Sequence, residues 1–183
     1  MPIENLPSVA KHGLVSYERA AKLPHRSVAL QPVQDRRDII SVPQGLRLHQ
    51  YANMYFHARN PMLFKRLGEA DSLCILRIST DVFDIPRTVI TDQNAASKYV
   101  RFYAPNQWRN LDFDRIYAEN WQDPNEIQYW QKKSAKCAEI LVEKFVPPNL
   151  IFSAFVRSKK SRDLFESMET DIHSEINGYM FFE

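Results

Sequence analysis

The run at residues 136–146, KCAEILVEKFV, constrains the fold most, because it is apolar, rich in strand-forming residues and ended by two prolines. These features predict a strand. Strand alternation places Glu139, Leu141 and Glu143 on one face. A carboxylate inside such a run must be paired, hydrogen-bonded or turned toward a cleft, because an isolated buried charge is costly. The alternative is an edge strand whose Glu139 faces water.

Strands and helices are predicted along most of the remaining chain. Strands are expected at 53–57, 72–80, 87–91, 151–157 and 178–182, and helices at 5–11, 33–39, 60–67, 92–100 and 158–168, with two more in 111–133 divided by Asp123-Pro124. Residues 14–53 are polar, proline-containing and weakly periodic, which predicts a long loop-rich segment of the kind that is usually functional or disordered. The sequence indicates one mixed α/β domain spanning residues 1–183.

Composition excludes several classes of site. The four glycines cannot form a Walker loop or a dinucleotide-binding fingerprint. The net charge of +2 is too small to identify a nucleic-acid-binding protein. Cys74 and Cys137 lie in apolar runs and are expected to be buried free thiols, and the five scattered histidines predict no metal site. Because neither a signal peptide nor an apolar run of about 18 residues is present, we expect a soluble, cytoplasmic protein without membrane contact.

Two further segments have residue types suited to chemistry. Arg36-Arg37 lies in the loop-rich segment, and its guanidinium groups are either solvated or available to recognise a phosphate or a base edge. The run at 54–63, MYFHARNPML, joins a predicted strand to a predicted helix and contains aromatic rings and Arg59. It is either plain packing or a ligand site at a helix start. Basic clusters such as Lys132, Lys133 and Lys136 are most simply solvated faces.

The order of these pieces resembles the DarT family of DNA ADP-ribosyltransferase toxins. The matching segments, in chain order, are Ile3-Glu4-Asn5-Leu6 with His12-Gly13-Leu14; Gln34-Asp35-Arg36-Arg37 with Val42-Pro43; His49-Gln50-Tyr51 with Tyr55-Phe56 and Arg59-Asn60-Pro61-Met62-Leu63; Thr91-Asp92 with Arg101-Phe102-Tyr103; and Ala138-Glu139-Ile140-Leu141-Val142. They cover about residues 3–157. The block from Arg59 and the strand around Glu139 are the specific ones.

The resemblance implies an ADP-ribosyltransferase fold, in which a split mixed sheet surrounded by helices holds NAD⁺ in the cleft between its halves. It implies transfer of ADP-ribose from NAD⁺, without a metal, to a base of single-stranded DNA, and an antitoxin partner with a DarG-type macrodomain. By matching motif, Glu139 and Arg37 would be catalytic. The residues implied to bind NAD⁺ are Asn5, Leu6, Gln34, Arg37 and Tyr55, and those implied to contact DNA are Arg59, Met62, Asn94 and Lys133. The loop-rich segment would cover the site.

The sequence departs from the family pattern at two positions where the family has a histidine. The family usually has a histidine a few residues before Ile3, where this chain begins with Met1-Pro2. Either the start lies upstream, or NAD⁺ binding is weaker or different. The family often has a histidine where this chain has Asn94, near the expected substrate side, which leaves the base preference open. The alternatives kept open are a catalytically weakened nucleic-acid-binding member of the same fold and an ADP-ribosyltransferase acting on RNA or protein.

Overall fold

The computed structural model describes all residues from Met1 to Glu183. The helices are α1 Leu6–His12, α2 Tyr17–Ala20, α3 Gln31–Asp38, α4 Pro61–Phe64, α5 Phe113–Tyr117, α6 Glu126–Ala135 and α7 Lys159–Glu166. The strands are β1 Leu14–Val15, β2 Tyr51–Tyr55, β3 Cys74–Ile78, β4 Val89–Thr91, β5 Phe102–Tyr103, β6 Glu139–Glu143, β7 Phe145–Val146, β8 Ile151–Val156 and β9 Ser174–Ile176. Short 3-10 helices connect many of them. The predicted mixed α/β class is confirmed.

The strands form a split sheet. One half is antiparallel, in the order β2-β6-β4-β5. The other half has the order β3-β8-β9, with β3 and β8 antiparallel and β8 and β9 parallel, and β1 pairs with β7 beside them. A cleft of about 1270 Å³ is lined by residues of both β2 and β3. The predicted split mixed sheet is therefore present, with a cleft between its halves.

Strand β6 is the centre of the first half because its side chains are buried on both faces. Ile140 and Val142 pack with Ala52, Met54 and Ile90 in one core cluster, while Leu141 packs with Tyr51 and Ala95 in another. This explains why the run is apolar without strict alternation, since a strand covered on both sides gains from an apolar residue at every position. The run is shorter as a strand than predicted, because Lys144 has a φ of 67° and separates β6 from β7.

A second core lies under the other half of the sheet. Ile3 and Leu6 from the chain start pack against Cys74, Ala154, Val156 and Phe165. The predicted opening helix is confirmed as α1, and Gly13 ends it with a φ of 76°. Asn5 precedes α1 but does not cap it, because its side chain makes no hydrogen bond to the helix and instead exchanges hydrogen bonds with the backbone of Arg26. Both cysteines are buried and free, as expected.

Three element predictions are wrong. Residues 92–100 form turns instead of a helix, because this loop must direct the backbone N–H of Ala95 toward Glu139. The predicted last strand is a 3-10 helix, Gly178–Phe181, which buries Phe181 beside Ala70 and Leu73. The last strand is β9, just before it. The helix predicted to reach residue 67 ends at Phe64.

None of the helices combines the length and the apolar character that a membrane crossing requires. No three residues among the histidines, cysteines, aspartates and glutamates are grouped in a way that could hold a metal ion.

Candidate active site

Glu139 is the first residue of β6 and lies opposite Tyr55 in the ladder with β2. Its side chain has no solvent-exposed surface. On the other side, its backbone N–H donates to the Thr91 hydroxyl at 2.9 Å, just after the last regular β4–β6 pair. The sheet therefore fixes the backbone of Glu139 from both neighbouring strands.

The Glu139 carboxylate is bound by Arg37 of α3 and by the loop after β4. Nη1 of Arg37 donates to both carboxylate oxygens, at 3.0 Å each, and the backbone N–H of Ala95 donates to Oε1 at 3.0 Å. Arg37 is 5% exposed. Because a buried carboxylate is stable only when it is paired and hydrogen-bonded, these donors are what allow Glu139 to lie inside an apolar strand. The interpretation of Glu139 as a water-facing edge residue is wrong.

The Arg37–Glu139 pair sets the protonation of its surroundings. Burial lowers the pKa of Arg37, but the charge of Glu139 and its hydrogen bonds outweigh that effect, so that the pKa lies above its ordinary value. Burial raises the pKa of Tyr55 well above its ordinary value, and the negative charge of Glu139 raises it further. At neutral pH Arg37 is a cation and Tyr55 is a neutral phenol that can donate a hydrogen bond.

One atom of the pair has no partner. Nη2 of Arg37 is buried and makes no hydrogen bond, although Arg37 lines the cleft. A buried N–H without an acceptor costs free energy, so a ligand oxygen that met Nη2 would be favoured. The donor set fits an anionic or hydroxyl-rich ligand such as a dinucleotide.

Four of the five residues predicted to bind NAD⁺ line the same cleft, namely Asn5, Gln34, Arg37 and Tyr55. Gln34 bonds Nε2 of His49 through its side-chain oxygen at 3.1 Å, and Nδ1 of His49 lies 3.2 Å from Asp38. These contacts tie α3 to the turn before β2, so they position the helix that contains Arg37. Leu6 differs, because its side chain is fully buried in the second core and does not line the cleft.

The residues predicted to contact DNA are not gathered at one point. Met62 lines the cleft. Asn94 accepts a hydrogen bond from the Ala96 N–H, within the loop that also supplies Ala95 to Glu139. Lys133 on α6 donates to Tyr129 and lies over the rings of Tyr129 and Trp130.

Arg59 is the DNA candidate with the least free surface. It is 8% exposed, and its guanidinium donates to the Tyr179 carbonyl at 2.6 Å and lies over the rings of Tyr179 and Phe182. In this structure Arg59 therefore holds the C-terminal 3-10 helix.

Sequence reasoning missed a further buried cation. Lys136 was grouped with Lys132 and Lys133 as a basic cluster, yet it is fully buried. Its Nζ donates to the Ala118 carbonyl and lies 3.0 Å from Nδ1 of His57. It takes part in none of the ion pairs of the structure. The available signal was its position as the first residue of the apolar run at 136–146.

The surroundings of Lys136 shift two pKa values. Burial, with the nearby Arg59 charge, lowers the pKa of Lys136 to about 8. Burial, Lys136 and Arg59 together lower the pKa of His57 to about 4. At neutral pH Lys136 is therefore charged and His57 is neutral.

Comparison with solved structures identifies the fold. A structure described as Thermus sp. 2.9 DarT in complex with ADP-ribosylated ssDNA matches with a TM-score of 0.82 at 26% identity, over 98% of this chain and 92% of that one. Thermosipho africanus DarTG in complex with ADP-ribose matches with a TM-score of 0.86 at 23% identity, over 99% of this chain and 49% of that one. The Thermus sp. 2.9 DarT in complex with NAD⁺ matches with a TM-score of 0.76 at 23% identity, over 98% and 93%. The class defined by the fold is that of the ADP-ribosyltransferases.

A family model that matches almost the whole chain shows the family. The family model described as "DarT: ssDNA thymidine ADP-ribosyltransferase" matches residues 1–182, and this chain belongs to that family. A DNA ADP-ribosyl transferase of Thermus sp. strain 2.9 is 29% identical over 170 residues, covering 86% of this chain and 79% of the relative. A DNA ADP-ribosyl transferase–DNA ADP-ribosyl glycohydrolase fusion protein of Thermosipho africanus is 26% identical over 153 residues. That alignment covers 79% of this chain but spans only 37% of the fusion protein.

Proposed function

We propose that this chain transfers ADP-ribose from NAD⁺ to a thymine base of single-stranded DNA and releases nicotinamide. The observation that carries the proposal is the Glu139 carboxylate, fully buried at the start of β6 and held by Arg37 and the Ala95 N–H beside the cleft. The family description names single-stranded DNA and thymidine, and a Thermus relative has been solved with ADP-ribosylated ssDNA. The base that the sequence analysis left open is thus proposed to be thymine.

The reaction exchanges one bond for another at the ribose. The bond between nicotinamide and ribose C1′ breaks, and its electron pair leaves with nicotinamide, which becomes neutral. A nitrogen of the base forms the new bond to C1′, and the base releases its N–H proton. Positive charge develops on the ribose as the first bond breaks, and a fixed carboxylate stabilises that charge. We assign this role to Glu139.

Arg37 holds that carboxylate ready before any ligand arrives. Its Nη1 fixes both oxygens, and its Nη2 is a donor without a protein partner. We assign Arg37 the tasks of orienting the base and offsetting charge that develops on it. Tyr55, opposite Glu139 and neutral at physiological pH, is assigned to the nicotinamide end. We further propose that residues 14–50 act as the cover of this site within a single domain, because α3 brings Arg37 onto Glu139. Residues 51–53 of the predicted segment 14–53 belong to β2 instead.

A partner that removes ADP-ribose from DNA is also proposed. The Thermosipho africanus relative joins a DNA ADP-ribosyl transferase to a DNA ADP-ribosyl glycohydrolase in one chain. A toxin of this type would need such an activity nearby, and a separate DarG-type macrodomain antitoxin would supply it. The two buried free thiols fit the cytoplasm as the place of action, since thiols stay reduced there.

Purified protein and NAD⁺ labelled in the adenosine part test the proposal. The substrates are single-stranded oligonucleotides with and without thymine, the matched duplex, RNA and bulk protein, with nicotinamide release measured in parallel. We expect label on thymine-containing single strands, and transfer at least about 100-fold slower with Glu139→Gln. Label on RNA or protein alone would reassign the substrate. Oligonucleotide binding without nicotinamide release would favour a binding protein that has lost catalysis.

A further inference from the structure

His57 has a hydrogen-bonding nitrogen that the protein itself does not use. The imidazole lines the cleft, its Nδ1 faces Lys136, and its Nε2 has no hydrogen-bond partner. We propose that His57 recognises the acceptor base, with its Nε2–H donating a hydrogen bond to the C4 carbonyl oxygen of thymine. This inference rests on the proposed function and names the contact by which that site would select its base.

Lys136 determines which nitrogen of His57 bears the proton. An ammonium group can donate hydrogen bonds but cannot accept one. Because Nζ of Lys136 lies 3.0 Å from Nδ1, that nitrogen must be the acceptor and the proton of the neutral ring must be on Nε2. The second Lys136 bond, to the Ala118 carbonyl, holds the ammonium at the end of α5.

The charges around the pair support this arrangement at physiological pH. Arg59 is the other cation that acts on both groups, and no carboxylate forms an ion pair with Lys136. His57, with a pKa of about 4, is neutral at pH 7, and Lys136, with a pKa of about 8, is mostly charged. A cation behind a neutral imidazole polarises the ring and makes Nε2–H a better donor.

The position of His57 fits a contact with the reacting base. His57 follows Tyr55 by two residues, so its backbone lies about 7 Å further along the chain from the residue opposite Glu139. Phe56 donates to the Ala138 carbonyl, which keeps this segment beside the start of β6. Met62 and Tyr117 line the same cleft, and the Tyr117 ring lies 5.3 Å from the imidazole. Apolar and aromatic walls with one directed donor suit a flat pyrimidine.

The chemistry of the bases explains why a donor would be needed. Thymine has a carbonyl at C4, an acceptor, where cytosine has an amino group, a donor. A fixed N–H therefore favours thymine and opposes cytosine. When the N–H proton of thymine is lost during transfer, negative charge spreads onto the carbonyl oxygens, and a donor at C4 would stabilise that charge.

Two conservative variants separate recognition from a purely structural role. In His57→Gln the side-chain amide can replace the Nε2 donor, whereas in His57→Asn the side chain can replace only the Nδ1 acceptor that faces Lys136. Base recognition requires the Nε2 donor, which only His57→Gln can replace. A structural contact to Lys136 requires the Nδ1 acceptor, which only His57→Asn can replace. The pair is therefore a matched test, and thermal unfolding shows whether each variant is folded.

The measurement uses two single-stranded oligonucleotides made of adenines except at one position. One strand has thymine at that position and the other has 5-methylcytosine. Binding is measured by fluorescence anisotropy without NAD⁺, and transfer is measured separately with NAD⁺. We expect the wild-type protein and His57→Gln to bind the thymine strand about tenfold more tightly than the 5-methylcytosine strand, as one hydrogen bond predicts. We expect His57→Asn to bind the two strands equally.

Retention of the preference in His57→Asn with its loss in His57→Gln would overturn the proposal in favour of a structural contact. Equal binding of both strands by the wild-type protein would also overturn it. Failure of the proposed function has a different signature, because thymine preference in the binding assay would then persist without any transfer.

Discussion

Arg37 and Lys136 are both buried cations beside the start of β6, but their charges are compensated in opposite ways. Arg37 meets a carboxylate, Glu139, at 3.0 Å. Lys136 meets a carbonyl oxygen and a neutral imidazole, with no carboxylate in an ion pair. The first arrangement is a closed charge pair and the second leaves a net positive charge inside the protein. The comparison shows that burial by itself does not reveal what a charged residue does, whereas the partner does.

Removing the carboxylate of the first pair should have the largest effect. We expect Glu139→Gln to lower the rate of ADP-ribose transfer by about 100- to 10,000-fold, because the amide loses the negative charge but keeps most of the shape. Transfer to a thymine-containing single strand, measured with labelled NAD⁺, gives the rate. Transfer at half the wild-type rate or more would remove Glu139 from the mechanism.

Stability provides the control for that result. Glu139→Ala leaves the Arg37 charge buried without a partner and should cost about 3–5 kcal/mol in the free energy of unfolding. Glu139→Gln keeps an oxygen for the Ala95 N–H and should cost less. Urea unfolding of both variants separates loss of chemistry from loss of fold, and equal destabilisation by the two would show that the charge pair has no special part in stability.

The second cation should behave differently when it is removed. Lys136→Met replaces an ammonium without a carboxylate partner by an apolar chain of similar length. We expect the free energy of unfolding to change by no more than about 1 kcal/mol, because relief of the buried charge offsets the two lost hydrogen bonds. Arg37→Met is the matched variant, and it should cost about 3–5 kcal/mol because it leaves Glu139 unpaired. Similar losses for both variants in urea unfolding would contradict the distinction between the two cations.

The smallest predicted effect is on the loss of folding stability at acidic pH. The pKa of His57 is about 4 in the folded protein and 6.5 when exposed, so the unfolded chain binds the proton more readily. The stability contributed by neutral His57 is therefore complete above pH 6.5 and is lost as pH falls toward 4. Thermal unfolding of wild type and His57→Gln at pH 7 and pH 5 should show a smaller decrease in Tm for the variant. An identical decrease would place the acid sensitivity elsewhere.

The sequence predicted the strand around Glu139 because an apolar, strand-forming run needs no knowledge of its neighbours to be recognised. It also predicted helices where α1, α3 and α6 lie, and its motif order led to the correct family. Glu139 could be singled out because a carboxylate in such a run is physically unusual, and its burial is confirmed. The roles assigned to Glu139 and to the other site residues remain predictions.

The wrong predictions for residues 92–100 and for Lys136 have one cause. In both cases a contact with a residue far away in the sequence determines the local structure. Residues 92–100 look helical from Asp92, but the Ala95 N–H is needed by the Glu139 carboxylate, 44 residues further along the chain. Lys136 looked like part of an exposed basic cluster, but the turn from α6 into β6 buries it against His57, 79 residues before it. Local patterns contain no information about such partners.

The sequence by itself determined the mixed α/β class and the central strand through its hydrophobic pattern, and it singled out Glu139 through the cost of a buried charge. Arg37 was singled out as catalytic only by the resemblance to the family. Only the tertiary structure decided that Arg37 would bind both oxygens of Glu139, that Arg59 would lie under the C-terminal helix, and that Lys136 would face His57. Those outcomes depend on which groups the folded sheet brings within about 3 Å of one another, since a hydrogen bond or ion pair forms only at that distance.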